Sequence, residues 1–371
     1  MKHIIFLCEF GSLNGGERSL LAVLPFLLRG GIDVGVVAPA AGEFALKLRE
    51  LGITHLHLPF TASDLPELKR SLLTDLLQRQ TFDILHANSL SMGCLSGDIV
   101  ERLSLASVAH LRDMIKLSPP KIASLNRHRR LLAVSNAVRQ FHVAQGITSE
   151  KCGVLYNGVD LQQFSSEQNR CTGIDLHTEL GIASDVPLIA VIGQICLRKG
   201  LDTLFDAVEN VFRRRELPHL LVVGKRWSVK TESIEYERQL HERAAVFPLA
   251  GRVHFLGERD DVPRLLRELT LLVHTPRQEP LGRVLLEAAA AGCCVVATDV
   301  GGTREIFQNG ENEPIVPLVP ANDVEKISNE IIRLLDSTEL RRTISMAMKN
   351  RAEMFAAEKS ATRLMEMYEE F

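Results

Sequence analysis

Long apolar runs, paired cysteines and an excess of basic charge are all missing from this chain of 371 residues. No segment approaches the roughly 18 apolar residues that a membrane span requires. At the start, MKHIIFLCEF, the apolar run stops at Glu9, which is too short for a secretory signal. The seven cysteines are scattered, and only Cys293 and Cys294 are adjacent. They form no C-x-x-C pair and no disulfide framework, so a reducing, cytoplasmic setting is expected. A net charge of −3 argues against a dedicated nucleic-acid binder, which is normally basic. Low-complexity segments and repeats of fixed period are absent as well. No G-x-G-x-x-G follows the first strand-like run, which weighs against a nicotinamide dehydrogenase.

What remains is a globular composition, 46% hydrophobic and 24% charged, on a chain long enough for two domains. The first half alternates strand and helix signals. HIIFLCE, DVGVVAP and THLHLP read as short buried strands, with helices at ERSLLAVLPFLLRGG and EFALKLRELG between them. Further strands are expected at FDILHA, SVAHL, LLAVS and CGVLYNG. From 161 to 187 the pattern loosens into a polar stretch, the candidate linker. Alternation then resumes, with strands at LIAVIG, HLLVVG, RVHFLG, LLVHT and CCVVAT. This βαβ rhythm predicts two α/β domains in series, each on a parallel sheet of about six strands. The final stretch, RRTISMAMKNRAEMFAAEKSATRLMEMYEEF, is helical and charged.

One stretch, EPLGRVLLEAAAAGCCVVATDVGG (279–302), stands out for its two glutamates. LLVHT precedes it as a strand, so Pro276 to Gly282 forms the loop beyond a strand's carboxyl end. Ligands of open α/β sheets bind there. The helix that follows turns its free N-terminal amides toward the same crevice, and Gly292 ends it. Glu279 on the loop and Glu287 on the helix could then face one site. Taken singly, each reads first as an ordinary surface charge.

In register, the stretch resembles the E-x7-E signature of the family 4 retaining glycosyltransferases, which have the two-domain GT-B fold. Glu279-Pro280-Leu281-Gly282, Glu287-Ala288, Gly292, VVAT and Gly301-Gly302 with Glu305 all match, while Leu281 replaces a common Phe and Cys294 a common Pro. GQICLRKGLDTLFDA (193–207), LYNGVD (155–160), AVSNAV (133–138), RVHFLGERDDVPRLL (252–266) and SLNGGERSLL (12–21) are similar to further family segments, in order along the chain.

The resemblance implies two Rossmann-like domains facing a central cleft. Residues 1–162 would bind the acceptor and 163–355 the nucleotide-sugar donor, and a helix over 356–371 would return to the first domain. It also implies roles. Arg198 and Lys199 would neutralise the leaving diphosphate, one as a bidentate fork and the other as a point charge. Gly15 and Gly16 would let backbone amides approach the same phosphates. Glu287 would accept hydrogen bonds from a ribose diol, and Glu279 would lie beside the transferred sugar. Amides around Leu281 and Gly282 would hold its hydroxyls, and Gly257 would line the donor site. Retention would follow from acceptor attack on the face that the diphosphate leaves. The expected substrates are a nucleotide-diphosphate sugar and a glycan or lipid-linked cell-envelope acceptor, with peripheral membrane contact and no cofactor. No metal is expected, since the chain has no D-x-D triplet to hold a cation on the diphosphate.

Three segments depart from the family pattern. HLRDM places Arg112-Asp113 where a His-Asp pair is usual, with His110 two residues earlier, so either residue could stand for the family histidine. Gly224 is followed by KRWSVKTESIEY instead of a second glycine, and QNGENEPIVPLVP alters the segment after Glu305. Other groups carry less. His55 and His57 alternate as H-x-H with no third ligand at metal spacing. NRHRR (126–130) and RRR (213–215) read as solvated faces, the first with a membrane or lipid-linked acceptor as its alternative. Trp227 reads as either structural or donor-facing. Two other functions stay open: a nucleotide-sugar 2-epimerase on the same architecture, and a pseudo-transferase that binds a nucleotide sugar without turnover.

Overall fold

The computed structural model describes residues 2–103, 105–165, 174–215 and 218–371. The chain forms two compact units, Met1–Val159 with Phe355–Phe371, and Asp160–Met354. Of the polar stretch 161–187, short helices at Leu161–Ser165 and Leu176–Leu180 are seen, while 166–173 lie outside the described residues.

The first unit has seven strands: β1 (His3–Leu7), β2 (Asp33–Ala38), β3 (Thr54–His57), β4 (Ile84–Ala87), β5 (Ala106–Leu111), β6 (Arg130–Ala133) and β7 (Cys152–Val154). All pair in parallel, in the order β3-β2-β1-β4-β5-β6-β7. A parallel sheet is covered by helices on both faces, so its central strands must be apolar on both. In β1, Ile4, Ile5, Phe6 and Leu7 are all buried, which is why the sequence there shows a continuous apolar run. The strand order reverses between β1 and β4, and the crevice at their carboxyl ends is where such sheets bind ligands.

The last helix, Ala357–Glu369, belongs to this unit. Its Ala357, Ala361, Leu364 and Tyr368 recur at helical spacing and share one core with Leu20, Val23, Leu24 and Leu27 of the helix Gly15–Arg29. Two backbone hydrogen bonds join the points where the chain leaves and re-enters the unit. Val159 N–H donates to the Phe355 carbonyl at 2.8 Å, and Ala357 N–H donates to the Val159 carbonyl at 2.9 Å. The approach is so close that a Cβ on Gly158 would lie 2.6 Å from the Ala357 Cα.

The second unit repeats the architecture with β8 (Leu188–Ile192), β9 (His219–Val223), β10 (Val253–Gly257), β11 (Leu271–His274), β12 (Val295–Thr298) and β13 (Leu318–Val319). The order is β10-β9-β8-β11-β12-β13, again parallel, with its switch between β8 and β11. Only two residues long, β13 gives no alternation signal of its own. The helix Thr231–Ala244 also escaped the periodicity reading, because it buries only Tyr236 and Leu240. Its charged face is laced by Arg238, which pairs with Glu235 and Glu242 one turn away on either side. No described helix is long and apolar enough to cross a membrane.

The Gly158 contact is testable. Because the obstructing atom is backbone, Gly158→Ala should cost about 1–3 kcal/mol, the scale of overpacking, and lower the melting temperature. Amide exchange in Ala357–Glu369 should accelerate in the same variant. An unchanged melting temperature would show that the junction yields without cost.

Candidate active site

In the second unit the switch point brings two loops together. One follows β8 and carries Arg198 and Lys199 on a short 3-10 turn, Leu197–Lys199. The other follows β11 and carries Glu279. Gly200 takes the left-handed conformation, φ 63°, and a Cβ there would lie 2.1 Å from the Thr275 carbonyl oxygen, so only glycine lets the loops meet. Arg277 fastens them. Its guanidinium grips Asp202 in a bidentate pair at 3.0 and 2.6 Å and donates to the Leu197 carbonyl at 2.6 Å. The Arg277 N–H donates to the Arg198 carbonyl at 2.9 Å.

Between these loops Glu279 is 6% exposed. Lys199 Nζ donates to its Oε2 at 2.6 Å, and His274 Nε2 lies 2.9 Å from the same oxygen. Burial pushes the Glu279 carboxyl up, but the Lys199 charge and the His274 bond outweigh it and hold the group well below the usual carboxylate range. Burial also lowers His274, so a neutral ring with its proton on Nε2 donates to the carboxylate. Both donors fall on Oε2, and Oε1 accepts no hydrogen bond from the described residues. Arg198 reaches the same loop, donating from Nη1 to the Gln278 carbonyl at 3.2 Å.

Leu281 is buried, and Gly282 caps the helix Arg283–Ala291. On that helix Glu287 is 9% exposed and pairs with Arg283 one turn earlier, at 2.8 Å. Glu287 is thus a buried, paired carboxylate on the same segment as Glu279. Gly257 ends β10, and its carbonyl accepts the Gly224 N–H at 2.7 Å, tying together the carboxyl ends of β9 and β10.

In the first unit Arg112 is the hub beyond β5. It donates from Nε to the Asn88 carbonyl and from Nη2 to Asn88 Oδ1, both at 2.7 Å, and from Nη1 to Asn157 Oδ1 at 2.7 Å. Asn88 Nδ2 in turn donates to the Gly16 carbonyl at 3.1 Å, so Gly16 and Arg112 share one cluster. Gly15 opens onto free space, with no atom within 4 Å of an added Cβ. His110 sits within β5, 4% exposed, with Nδ1 3.3 Å from Arg112 Nη2. Glu17, 2% exposed, is the third residue of the helix whose N-cap is Asn14 and reaches back to the Asn14 amide. Burial pushes its carboxyl up to about 7, against the lowering influence of Arg112.

Sequence reasoning overlooked His274, Arg277, Asn88 and Glu17. His274 and Arg277 had a signal, since they flank the carboxyl end of the strand that leads into Glu279. The basic cluster at 126–130 is largely neutralised within its own unit. Arg127 pairs with Asp98 at 3.0 Å, Arg130 pairs with Glu370 at 2.8 Å, and Arg129 stacks on the Phe371 ring. His128 is fully buried, with Nε2 2.8 Å from the Gly93 carbonyl oxygen. His55 Nε2 lies 3.2 Å from the Ala38 carbonyl oxygen, and among the described residues no group of three or more His, Cys, Asp or Glu is placed to hold a metal. Trp227, 45% exposed, lies in the loop beyond β9 under the Lys225 ammonium.

Comparison with known proteins adds the family context. Residues 174–351 match the family model for glycosyl transferases group 1, and residues 13–163 match that for glycosyltransferase family 4. The lipopolysaccharide core biosynthesis mannosyltransferase LpsB of Rhizobium meliloti is 27% identical over 217 residues, 58% of this chain and 60% of that protein. The chain thus spans about three fifths of that curated relative's length. The lipopolysaccharide core biosynthesis mannosyltransferase LpcC of Rhizobium leguminosarum is 25% identical over 331 residues, 86% of this chain and 82% of that one. Among solved structures, Anabaena HepE in complex with UDP-glucose superposes with a TM-score of 0.86 at 23% identity, covering 100% of both chains. At that identity the likeness is one of fold, and the fold is GT-B.

Glu17 offers a pH test of the first-unit cluster. Its carboxyl titrates near 4.5 when unfolded and near 7 when folded. Between those values the unfolded chain releases a proton that the native state keeps, so stability falls as pH rises through the window. Glu17→Gln keeps an acceptor for the Asn14 amide and removes the titration. Wild type should lose up to about 3 kcal/mol relative to this variant from pH 4.5 to 7, read by denaturant unfolding. Parallel pH curves would refute the burial argument.

Proposed function

We infer that this chain, whose two halves match these models, is a GT-B glycosyltransferase that moves a sugar from a nucleotide-diphosphate donor to a glycan or lipid-linked cell-envelope acceptor. The observation that carries the reading is the Lys199–Glu279–His274 cluster at the β8/β11 switch, with Arg198 on the same turn. The donor class is supported by the UDP-glucose bound to HepE, and the acceptor class by the lipopolysaccharide core relatives.

The chemistry follows from charge. As the glycosidic bond breaks, negative charge gathers on the diphosphate, and stabilising it is the main electrostatic task. With His274 neutral, Arg198 and Lys199 against one Glu279 carboxylate leave this cluster a net charge of +1. Lys199 spends one of its three N–H donors on Glu279 and keeps two for a phosphate. Glu279, fully ionised at neutral pH, is an acceptor and not an acid. Its Oε1 suits a hydroxyl of the transferred sugar. A 2-epimerase would need a carboxyl that gives and takes protons in that pocket, and a group held this far down is poorly suited to that task. Glu287 is assigned to the ribose diol, which would share the carboxylate with Arg283. Retention would arise by acceptor attack on the face that the diphosphate leaves, with a leaving phosphate oxygen as base and no metal required.

Thermal shift with a panel of nucleoside diphosphates and nucleotide sugars, UDP and UDP-glucose first, tests the donor class. A true ligand stabilises the fold by mass action, and no shift with any of them would remove the reading.

Variants then separate the roles. Glu279→Gln should lower turnover more than nucleotide affinity, whereas Glu287→Ala should mainly weaken nucleotide binding, since a ribose contact is much the same in ground and transition states. Equal, small effects would return both to structural roles. Arg198→Ala and Lys199→Ala should each cost about 10²–10³-fold in turnover. Lys199 touches Glu279, so the double variant Lys199→Ala/Glu279→Gln should cost less than the sum of the two. Activity should persist in EDTA, and a loss restored by Mg²⁺ or Mn²⁺ would overturn the metal-free mechanism.

A further inference from the structure

A buried polar chain runs from the last helix to Arg112. His86, on β4, is fully buried, with Nδ1 2.5 Å from the Tyr368 hydroxyl and Nε2 2.9 Å from His110 Nδ1. His110 Nδ1 also lies 3.3 Å from Arg112 Nη2. The Phe6 ring stacks on His86 at 4.8 Å, and His86 stacks on His110 at 4.8 Å, so neither imidazole can turn easily. Tyr368 is itself fully buried.

The order of donors along this chain is decided at one end. A guanidinium has only N–H groups to offer, so His110 Nδ1 facing Arg112 must be an acceptor. His86 Nε2, facing the same His110 nitrogen, must then carry the proton. That leaves His86 Nδ1 as an acceptor, and the Tyr368 hydroxyl must donate to it. The reverse order would set a His110 N–H against an Arg112 N–H. Burial agrees, since it holds both imidazoles well below their ordinary pKa and thus neutral.

We propose that Tyr368 and His86 are positioning residues for Arg112: the Tyr368 hydroxyl fixes the His86 ring, His86 fixes His110, and His110 presents the acceptor that orients the guanidinium beyond β5. The returning helix thereby reaches the first unit's candidate site through hydrogen bonds as well as through packing. The effect on catalysis rests on the glycosyltransferase reading, whereas the proton order does not.

The test uses the full-length protein labelled with ¹⁵N in histidine and arginine. In wild type both His86 and His110 should read as neutral Nε2–H tautomers, with resonances assigned through His86→Gln and His110→Gln. Tyr368→Phe keeps the ring and removes only the donor. Its His86 Nδ1 resonance should move to that of an acceptor without a hydrogen bond, and the Arg112 guanidinium signals should broaden. Leu364→Ala, a packing lesion in the same helix, should lower the melting temperature without either change. In donor turnover, Tyr368→Phe should lose roughly tenfold in kcat, the scale of one ordered hydrogen bond, with KM for the nucleotide sugar unchanged. An Nδ1–H tautomer at either histidine in wild type would overturn the proposal. So would an undisturbed Arg112 signal in Tyr368→Phe, or a loss of turnover matched by Leu364→Ala. If wild type bound no nucleotide sugar, the glycosyltransferase reading would fail while the tautomer measurement still judged the proton order.

Discussion

A carboxylate sealed almost entirely inside protein has to be met by positive charge or lose its own, and the second unit is organised around that requirement at Glu279. Lys199 meets it at 2.6 Å from a loop eighty residues earlier in the chain. Satisfying the charge therefore fixes the relation of the loop after β8 to the loop after β11, and the rest of the local structure serves that junction. Gly200 lets the backbones touch, Arg277 staples them through Asp202, and the Glu279 carbonyl accepts the Gly302 amide at 3.0 Å to bring in the turn after β12. Buried ion pairs gain little over apolar contacts in net stability, because desolvation offsets the attraction. What this one gives is a fixed register between three loops at the end of a sheet, where preorganisation matters for chemistry.

The first unit handles a cation differently. Arg112 donates hydrogen bonds to Asn88, Asn157 and His110, acceptors that carry no formal charge. These bonds orient the guanidinium without cancelling its charge, whereas Lys199 is oriented by a partner that does cancel it. A neutral imidazole can do this only because it is buried, which suppresses protonation and keeps one nitrogen available as an acceptor. Burial thus serves opposite ends in the two units: it makes a carboxylate demand a lysine in one, and it keeps a histidine fit to accept from an arginine in the other.

Much of the fold was legible because parallel strands buried on both faces leave short apolar runs, and all seven runs read in the first half became strands. Two elements that escaped had no such imprint. Two-residue β13 is too short for periodicity, and Thr231–Ala244 is a helix stabilised along its exposed face by charge pairs. At the candidate site, strand ends and glycine turns marked the loops, but Glu279, Lys199 and Arg198 could be picked out only because their segments resemble family motifs. His86 and Tyr368 could not be joined, since 282 residues separate them and neither taken alone stands out from its neighbours. Sequence spacing carries information over a few turns, whereas a hydrogen bond made by the return of the chain depends on topology.

The two buried glutamates, Glu279 and Glu17, make the same point about chemistry. Both lie near the carboxyl ends of central strands, and burial pushes both carboxyls up. What separates them is contact. Glu279 touches an ammonium group and a ring N–H, while the contacts identified for Glu17 are a helix-capping amide and its own backbone, with Arg112 acting through space. One is therefore a fixed charge across the whole physiological range, and the other changes its protonation within it. Environments that push like groups apart in this way distinguish a hydrogen-bond acceptor from a proton carrier. By that criterion Glu279 suits the role proposed for it, holding a hydroxyl without taking its proton, whereas an epimerase would need a group that takes it.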